Sequence, residues 1–301
     1  MMDPSEILLQ TISENSHPLA CIKNLLACPD ISVNFAHPRN HQTALHIAAQ
    51  QGNVNLINLL LSYGAHVNGG TVDLMTPLHE ASFGGHPQAV ETLIAEGAEV
   101  NARNIDGSTP LCFACSKGCI QSTHLLVKAG AEVNPSLTVT FPPLHEAALN
   151  GHVRCIDLLV RLGANLERSE NQFGTALHVA CLRGYADCAR SLLHAGANPN
   201  AIKRHQSPLH TAALCGYEEC AALLLEYGAN VYQRNSQSKR PSDLATDVAC
   251  KKILLSKAET PAKLIETCRL VIRQQLSRTP SVKIPLLPLP GCLKEYLNYY
   301  Y

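Results

Sequence analysis

An excess of charge is the first thing missing. Lysine plus arginine and aspartate plus glutamate number 24 each among the 301 residues, so the formal net charge is zero. Such a chain has no global electrostatic attraction to nucleic acid or to an anionic membrane surface, and neither is expected as a partner. No apolar run approaches the roughly 20 residues that a bilayer-spanning helix needs. The opening MMDPSEILLQ carries an acid at Asp3 and no basic stretch, so a secretory signal is not expected. An even cysteine set is missing too. Thirteen cysteines, scattered through helical patterns, argue against a disulfide framework and for a reducing compartment, the cytoplasm or the nucleus. Neither a phosphate-cradling glycine loop nor a nucleophile elbow is present. No catalytic residue and no cofactor are therefore expected, and the chain reads as a non-enzyme.

What the sequence does have is a repeat. The quartets TALH at 43, TPLH at 76, TPLC at 109, PPLH at 142, TALH at 175 and SPLH at 207 are spaced by 33, 33, 33, 33 and 32 residues. A worn version, RPSDLA, starts at Arg240. Between quartets a second signature recurs, as in LLLSYGAHVN and LLVKAGAEVN. Each part has a physical reason. Threonine or serine suits a helix N-cap, and proline suits the first helical position, whose amide has no partner. Leu45, Leu78, Leu144, Leu177 and Leu209 point inward. The small pairs that follow, such as Ala48-Ala49 and Ala81-Ser82, let two helices approach closely. Gly64, Gly97, Gly130, Gly163, Gly196 and Gly228 suit left-handed positions after the second helix. One such unit cannot bury its apolar face alone, and stacking does it. The pattern resembles the ankyrin repeat over residues of about 7 to 257, with ACIKNLLACPDISVNF as the second half of a degenerate first repeat. The expected fold is all-α, an ankyrin-repeat solenoid over residues 1–257.

Fourteen histidines invite a metal reading, but His46, His79, His145, His178 and His210 all take the quartet's fourth place. A catalytic or metal-binding group is not needed five times, and hydrogen bonding between neighbouring hairpins and helices is expected of them. The one CxxC, Cys112 to Cys115, lies within a helix and has no second CxxC to complete a zinc site, so no metal is expected.

Seven places after each quartet's first residue stand Gln50, Phe83, Ser116, Leu149, Leu182 and Leu214. Ankyrin arrays usually meet ligands at such places and just before the quartet, and an apolar stripe there marks a partner site. Met75, Phe83, Phe141, Leu149, Leu182, Arg183, Lys203, Arg204 and Leu214 are the expected contacts to an unidentified target protein. The alternative is packing on adjacent repeats.

After Lys257 the period ends. Thr260 and Pro261 open a new helical pattern in which Leu264, Cys268 and Ile272 recur at i, i+4 and i+8. Some 14 residues later, Leu287, Pro288, Leu289 and Pro290 are followed by Leu293, Tyr296 and Leu297. In this order the two elements resemble the SOCS box, although Lys263 stands where a small residue is preferred. Residues 258–301 are thus expected to form a small helical box, and the whole chain is similar to the ankyrin repeat and SOCS box family. That resemblance implies a substrate receptor of a ubiquitin ligase. Leu264, Cys268 and Ile272 would enter Elongin C of the Elongin B–Elongin C pair. Leu287 to Pro290 would help recruit a cullin, of the cullin-five type, with its RING partner. The alternative is an interaction scaffold whose tail only caps the array.

Overall fold

The computed structural model describes residues 4–14, 18–136 and 141–259. Among them are sixteen helices and no strand, in two compact units, Met1–Asn150 and Gly151–Tyr301.

In the first unit, α1 (Pro4–Ser13) packs on α2 (Leu19–Leu26) and on α3 (Ala44–Gln51). Three helical hairpins follow: α3 with α4 (Val54–Ser62), α5 (Pro77–Gly84) with α6 (Pro87–Ala95), and α7 (Pro110–Lys117) with α8 (Ile120–Lys128). The first helices α3, α5, α7 and α9 (Pro143–Leu149) stack in series, and so do α4, α6 and α8. The second unit is built alike from α10 (Val153–Arg161), α11 (Ala176–Arg183) with α12 (Ala186–His194), α13 (Pro208–Cys215) with α14 (Glu218–Glu226), and α15 (Pro241–Leu244) with α16 (Val248–Glu259).

The core follows the repeat's small and aliphatic positions. Leu45, Leu78, Leu144, Leu177 and Leu209 are buried, and Ala48, Ala49, Ala147, Ala148, Ala212 and Ala213 are fully so. Where serine replaces alanine at Ser82, its hydroxyl folds back 2.7 Å onto the Leu78 carbonyl and leaves no free polar group. Cys115 and Cys181 fill the same small position and are fully buried.

The second helices end as their glycines require. After α4, Gly64 is left-handed (φ 83°), its N–H reaches Leu61 O at 2.9 Å, and the next N–H, of Ala65, reaches Leu60 O at 3.0 Å. This is the Schellman pattern, which satisfies two orphan carbonyls.

Four first helices, α3, α5, α11 and α13, open with a histidine-based capping box. Thr43 N–H donates to His46 Nδ1 at 3.2 Å, and the Thr43 hydroxyl lies 2.8 Å from the same nitrogen. Thr76 with His79, Thr175 with His178 and Ser207 with His210 repeat it. The far ring nitrogen then reaches the next hairpin. Nε2 lies 2.9 Å from Met75 O in His46 and 3.1 Å from Ser108 O in His79, and 3.3 Å from Gln206 O in His178 and from Lys239 O in His210. The expected hairpin-to-helix role is therefore realised at His46, His79, His178 and His210.

The second stitch is asparagine. Asn34 Nδ2 donates to Gly64 O (3.0 Å) while its Oδ1 accepts from His66 N–H (2.8 Å). Asn68, Asn101 and, in the second unit, Asn200 do the same to the following repeat. Glu167 replaces asparagine in that register and accepts from Asn198 N–H at 2.8 Å.

Candidate partner-binding face

The first-helix face of unit one carries the aromatic part of the expected stripe. Phe83, near the end of α5, is 51% exposed, and its ring meets Phe113 of α7 edge-on at 6.0 Å and 88°. Phe113 in turn meets the buried His79 ring at 5.7 Å. Phe113 was not singled out in the sequence. It stands four places after its quartet begins, a register that elsewhere holds Ile47, Glu80, Glu146 and Val179. Leu149, at the end of α9, is half-buried. In the second unit Leu214 is 47% exposed and Leu182 half-buried, with Arg183 exposed beside it. The four apolar stripe residues thus differ in accessibility.

The hairpin residues divide further. Met75 is half-buried, and its carbonyl is taken by His46. Phe141 is half-buried and its ring stacks on His145 at 6.2 Å and 11°. The neighbouring tips of unit one instead expose Val72, Leu74 and Ile105, which the sequence pattern did not flag. In unit two Lys203 lies 5.6 Å above the Phe173 ring. Burial and the adjacent Arg204 charge push the Lys203 ammonium below its ordinary value. Arg204 (φ 44°) and His205 (φ 63°) are both exposed and left-handed, between Lys203 and Gln206, which exchange backbone hydrogen bonds of 2.8 and 2.7 Å. That two-residue turn favours Asn-Gly, so an Arg-His tip carries strain.

Two carboxylates lie on the face of unit one. Burial pushes both Glu80 and Glu146 above the usual carboxylate range. For Glu146, hydrogen bonds from Ser116 and Asn150 pull in the other direction. The buried histidines move the other way. Loss of water lowers His46 and His210 and takes His79 down to about 4.

Among the described residues, no group of three or more His, Cys, Asp or Glu side chains is placed to hold a metal ion. Cys112 meets the Thr109 hydroxyl at 3.5 Å, and Cys115 meets that of Thr123 at 3.8 Å. No described helix is long and apolar enough to cross a membrane. Leu264, Cys268, Ile272, Leu287, Pro288, Leu289 and Pro290 lie outside the described residues.

A family model described as ankyrin repeats (three copies) matches residues 8–104, 85–170 and 144–235, and a SOCS box model matches residues 260–298. Among curated proteins, Ankyrin repeat and SOCS box protein 5 of Mus musculus is 42% identical over 67 residues, which is 22% of this chain and 20% of that protein. Its Homo sapiens counterpart is 41% identical over 67 residues with the same shares. The match therefore spans about a fifth of the length of these relatives. Among solved structures, the human ASB11 ankyrin repeat domain superposes with a TM-score of 0.70 at 35% identity, covering 73% of this chain and 100% of that one. The ankyrin repeat domain of Bcl-3, a member of the IkappaB protein family, gives 0.62 at 25% identity over 71% of this chain and 98% of its own.

Proposed function

The chain belongs to the ankyrin repeat and SOCS box family, and from that premise we propose that it is the substrate-recognition subunit of an Elongin-cullin-SOCS box ubiquitin ligase. The supporting observation is the joining of an ankyrin array to a SOCS box match within one chain. In this reading residues 1–257 capture the target and residues 258–301 form the box. Leu264, Cys268 and Ile272, spaced at i, i+4 and i+8 in the sequence, enter Elongin C of the Elongin B–Elongin C pair. Leu287, Pro288, Leu289 and Pro290 dock on a cullin of the cullin-five type with its RING partner, and the fixed φ of the two prolines lowers the entropy lost on docking.

The array's contribution is geometric. It converts a bimolecular encounter between target and charged conjugating enzyme into an effectively intramolecular one, and it performs no bond chemistry itself. Target contacts fall on Met75, Phe83, Phe141 and Leu149 in unit one and on Leu182, Arg183, Lys203, Arg204 and Leu214 in unit two. The setting is the cytoplasm, with the nucleus as a second location, and the outcome is ubiquitination and proteasomal degradation of the target.

Affinity capture from proteasome-inhibited cells, comparing the intact chain with one lacking residues 258–301, tests this. The intact chain should bring down Elongin B, Elongin C, a cullin and a ubiquitinated target. The truncated chain should hold the target unmodified and no Elongin. Equal target ubiquitination with both chains would leave only an interaction scaffold.

A further inference from the structure

Glu80 lies one turn before Phe83 on α5, so the two share a face. Phe113 occupies the corresponding place on α7, 33 residues on, and meets Phe83 edge-on. Glu80 is only 9% exposed. Among the described residues its carboxylate has no hydrogen bond and no ion pair, and burial alone perturbs it. Its oxygens are not among the unpartnered polar atoms sealed from solvent, so the carboxylate keeps some accessible surface. Lys117, on the following first helix, runs alongside Gly85.

Burying a carboxylate without a donor is costly, and buried charges in proteins are as a rule paired. The fold does not require a carboxylate in this register, because Ile47 and Val179 occupy it in other repeats. Glu146, in the same register, is held by the Asn150 amide at 3.5 Å and by Ser116. Among the described residues of this register, Glu80 combines a desolvated carboxylate that is not fully sealed with a half-exposed aromatic ring one turn away.

We infer that Glu80, Phe83 and Phe113 form a seat for an arginine side chain of the captured protein, with the guanidinium on the Glu80 carboxylate and its planar body over the Phe83 ring. A guanidinium fits both surfaces. It pairs with a carboxylate through two parallel N–H bonds, and it stacks on aromatic rings. This assignment rests on the receptor reading for its role in target capture. The recognition itself is measured without Elongin, so the two fail separately.

The test uses the full chain and fluorescent nonapeptides holding one arginine and one leucine at varied spacing in a Gly-Ser background. Twins carry citrulline or lysine in place of the arginine. Wild type should bind the best arginine peptide at least about tenfold tighter than its citrulline twin, with lysine in between. Glu80→Gln should abolish that preference, and Phe83→Ala should weaken the arginine peptide. Glu80→Leu should abolish the preference and raise the unfolding temperature, because an unpartnered buried charge is replaced by a side chain the register accepts. Three results would overturn the assignment: no arginine preference at any spacing, a preference that survives Glu80→Gln, or a lower unfolding temperature for Glu80→Leu.

Discussion

A histidine in the third helical position does two jobs in four of the repeats. Its Nδ1 must accept from the cap N–H, which leaves Nε2 to donate to the next hairpin's carbonyl. The ring is therefore held neutral, since a second proton would face a donor. The linkage has a definite sign. His79 titrates at about 4 in the folded chain, against about 6.5 when unfolded, so below pH 6.5 the unfolded state binds more protons. Its stabilising contribution is whole above pH 6.5 and is lost as pH falls toward 4, by as much as about 3 kcal/mol. Urea unfolding at pH 7 and pH 5 should show this loss, and His79→Gln should reduce it, leaving the part that His46 and His210 contribute with the same sign. Thiols offer a second check. Burial and the neighbouring Asp187 and Asp157 charges push Cys188 up to about 12, whereas Cys21 and Cys28 are exposed. Brief iodoacetamide treatment of the native chain, read by mass spectrometry, should alkylate Cys21 and Cys28 and spare Cys188. The histidine register was legible because it recurs every 33 residues. Glu80 was not, because its identity varies between repeats and its meaning lies in the absence of a partner, which no spacing reveals. The asparagine stitches carried a usable signal, recurrence at 34, 68 and 101, that went unread.

At the scale of elements, the hairpins follow the quartets closely, and the departures have local causes. The worn quartet at Arg240 starts a helix, α15, with Asp243 accepting from Arg240 N–H at 2.8 Å in the histidine's place. It stops after four residues. Thr246 turns away to donate through its N–H to Ala213 O and through its hydroxyl to Leu214 O, occupying carbonyls at the end of α13. The apolar stripe was legible as a register, but its accessibility was not, because that depends on which side chain the next repeat sets against it. Two substitutions separate core from face. Leu78→Ala, in a fully buried position, should cost about 2–5 kcal/mol in chemical denaturation. Phe83→Ser, half-exposed, should cost clearly less. The strained tip gives a change of opposite sign. Replacing Arg204-His205 by Asn-Gly should raise the unfolding temperature, because both positions are left-handed and Asn-Gly adopts that turn readily.

For the whole molecule, the account is of a coupler with separable ends. Charging Phe83, Leu149 and Leu182 together to aspartate should abolish target capture while circular dichroism and Elongin recovery stay at wild-type levels. Loss of helical signal would instead mark those residues as core. Conversely, Leu264→Pro with Cys268→Phe should remove Elongin and leave target capture intact. The most direct measurement is a calorimetric titration of the folded full-length chain with the purified Elongin B–Elongin C heterodimer. The account predicts saturable one-to-one binding that disappears in the Leu264→Pro, Cys268→Phe chain. A wild-type chain with an intact ankyrin array that takes up no heterodimer would contradict it.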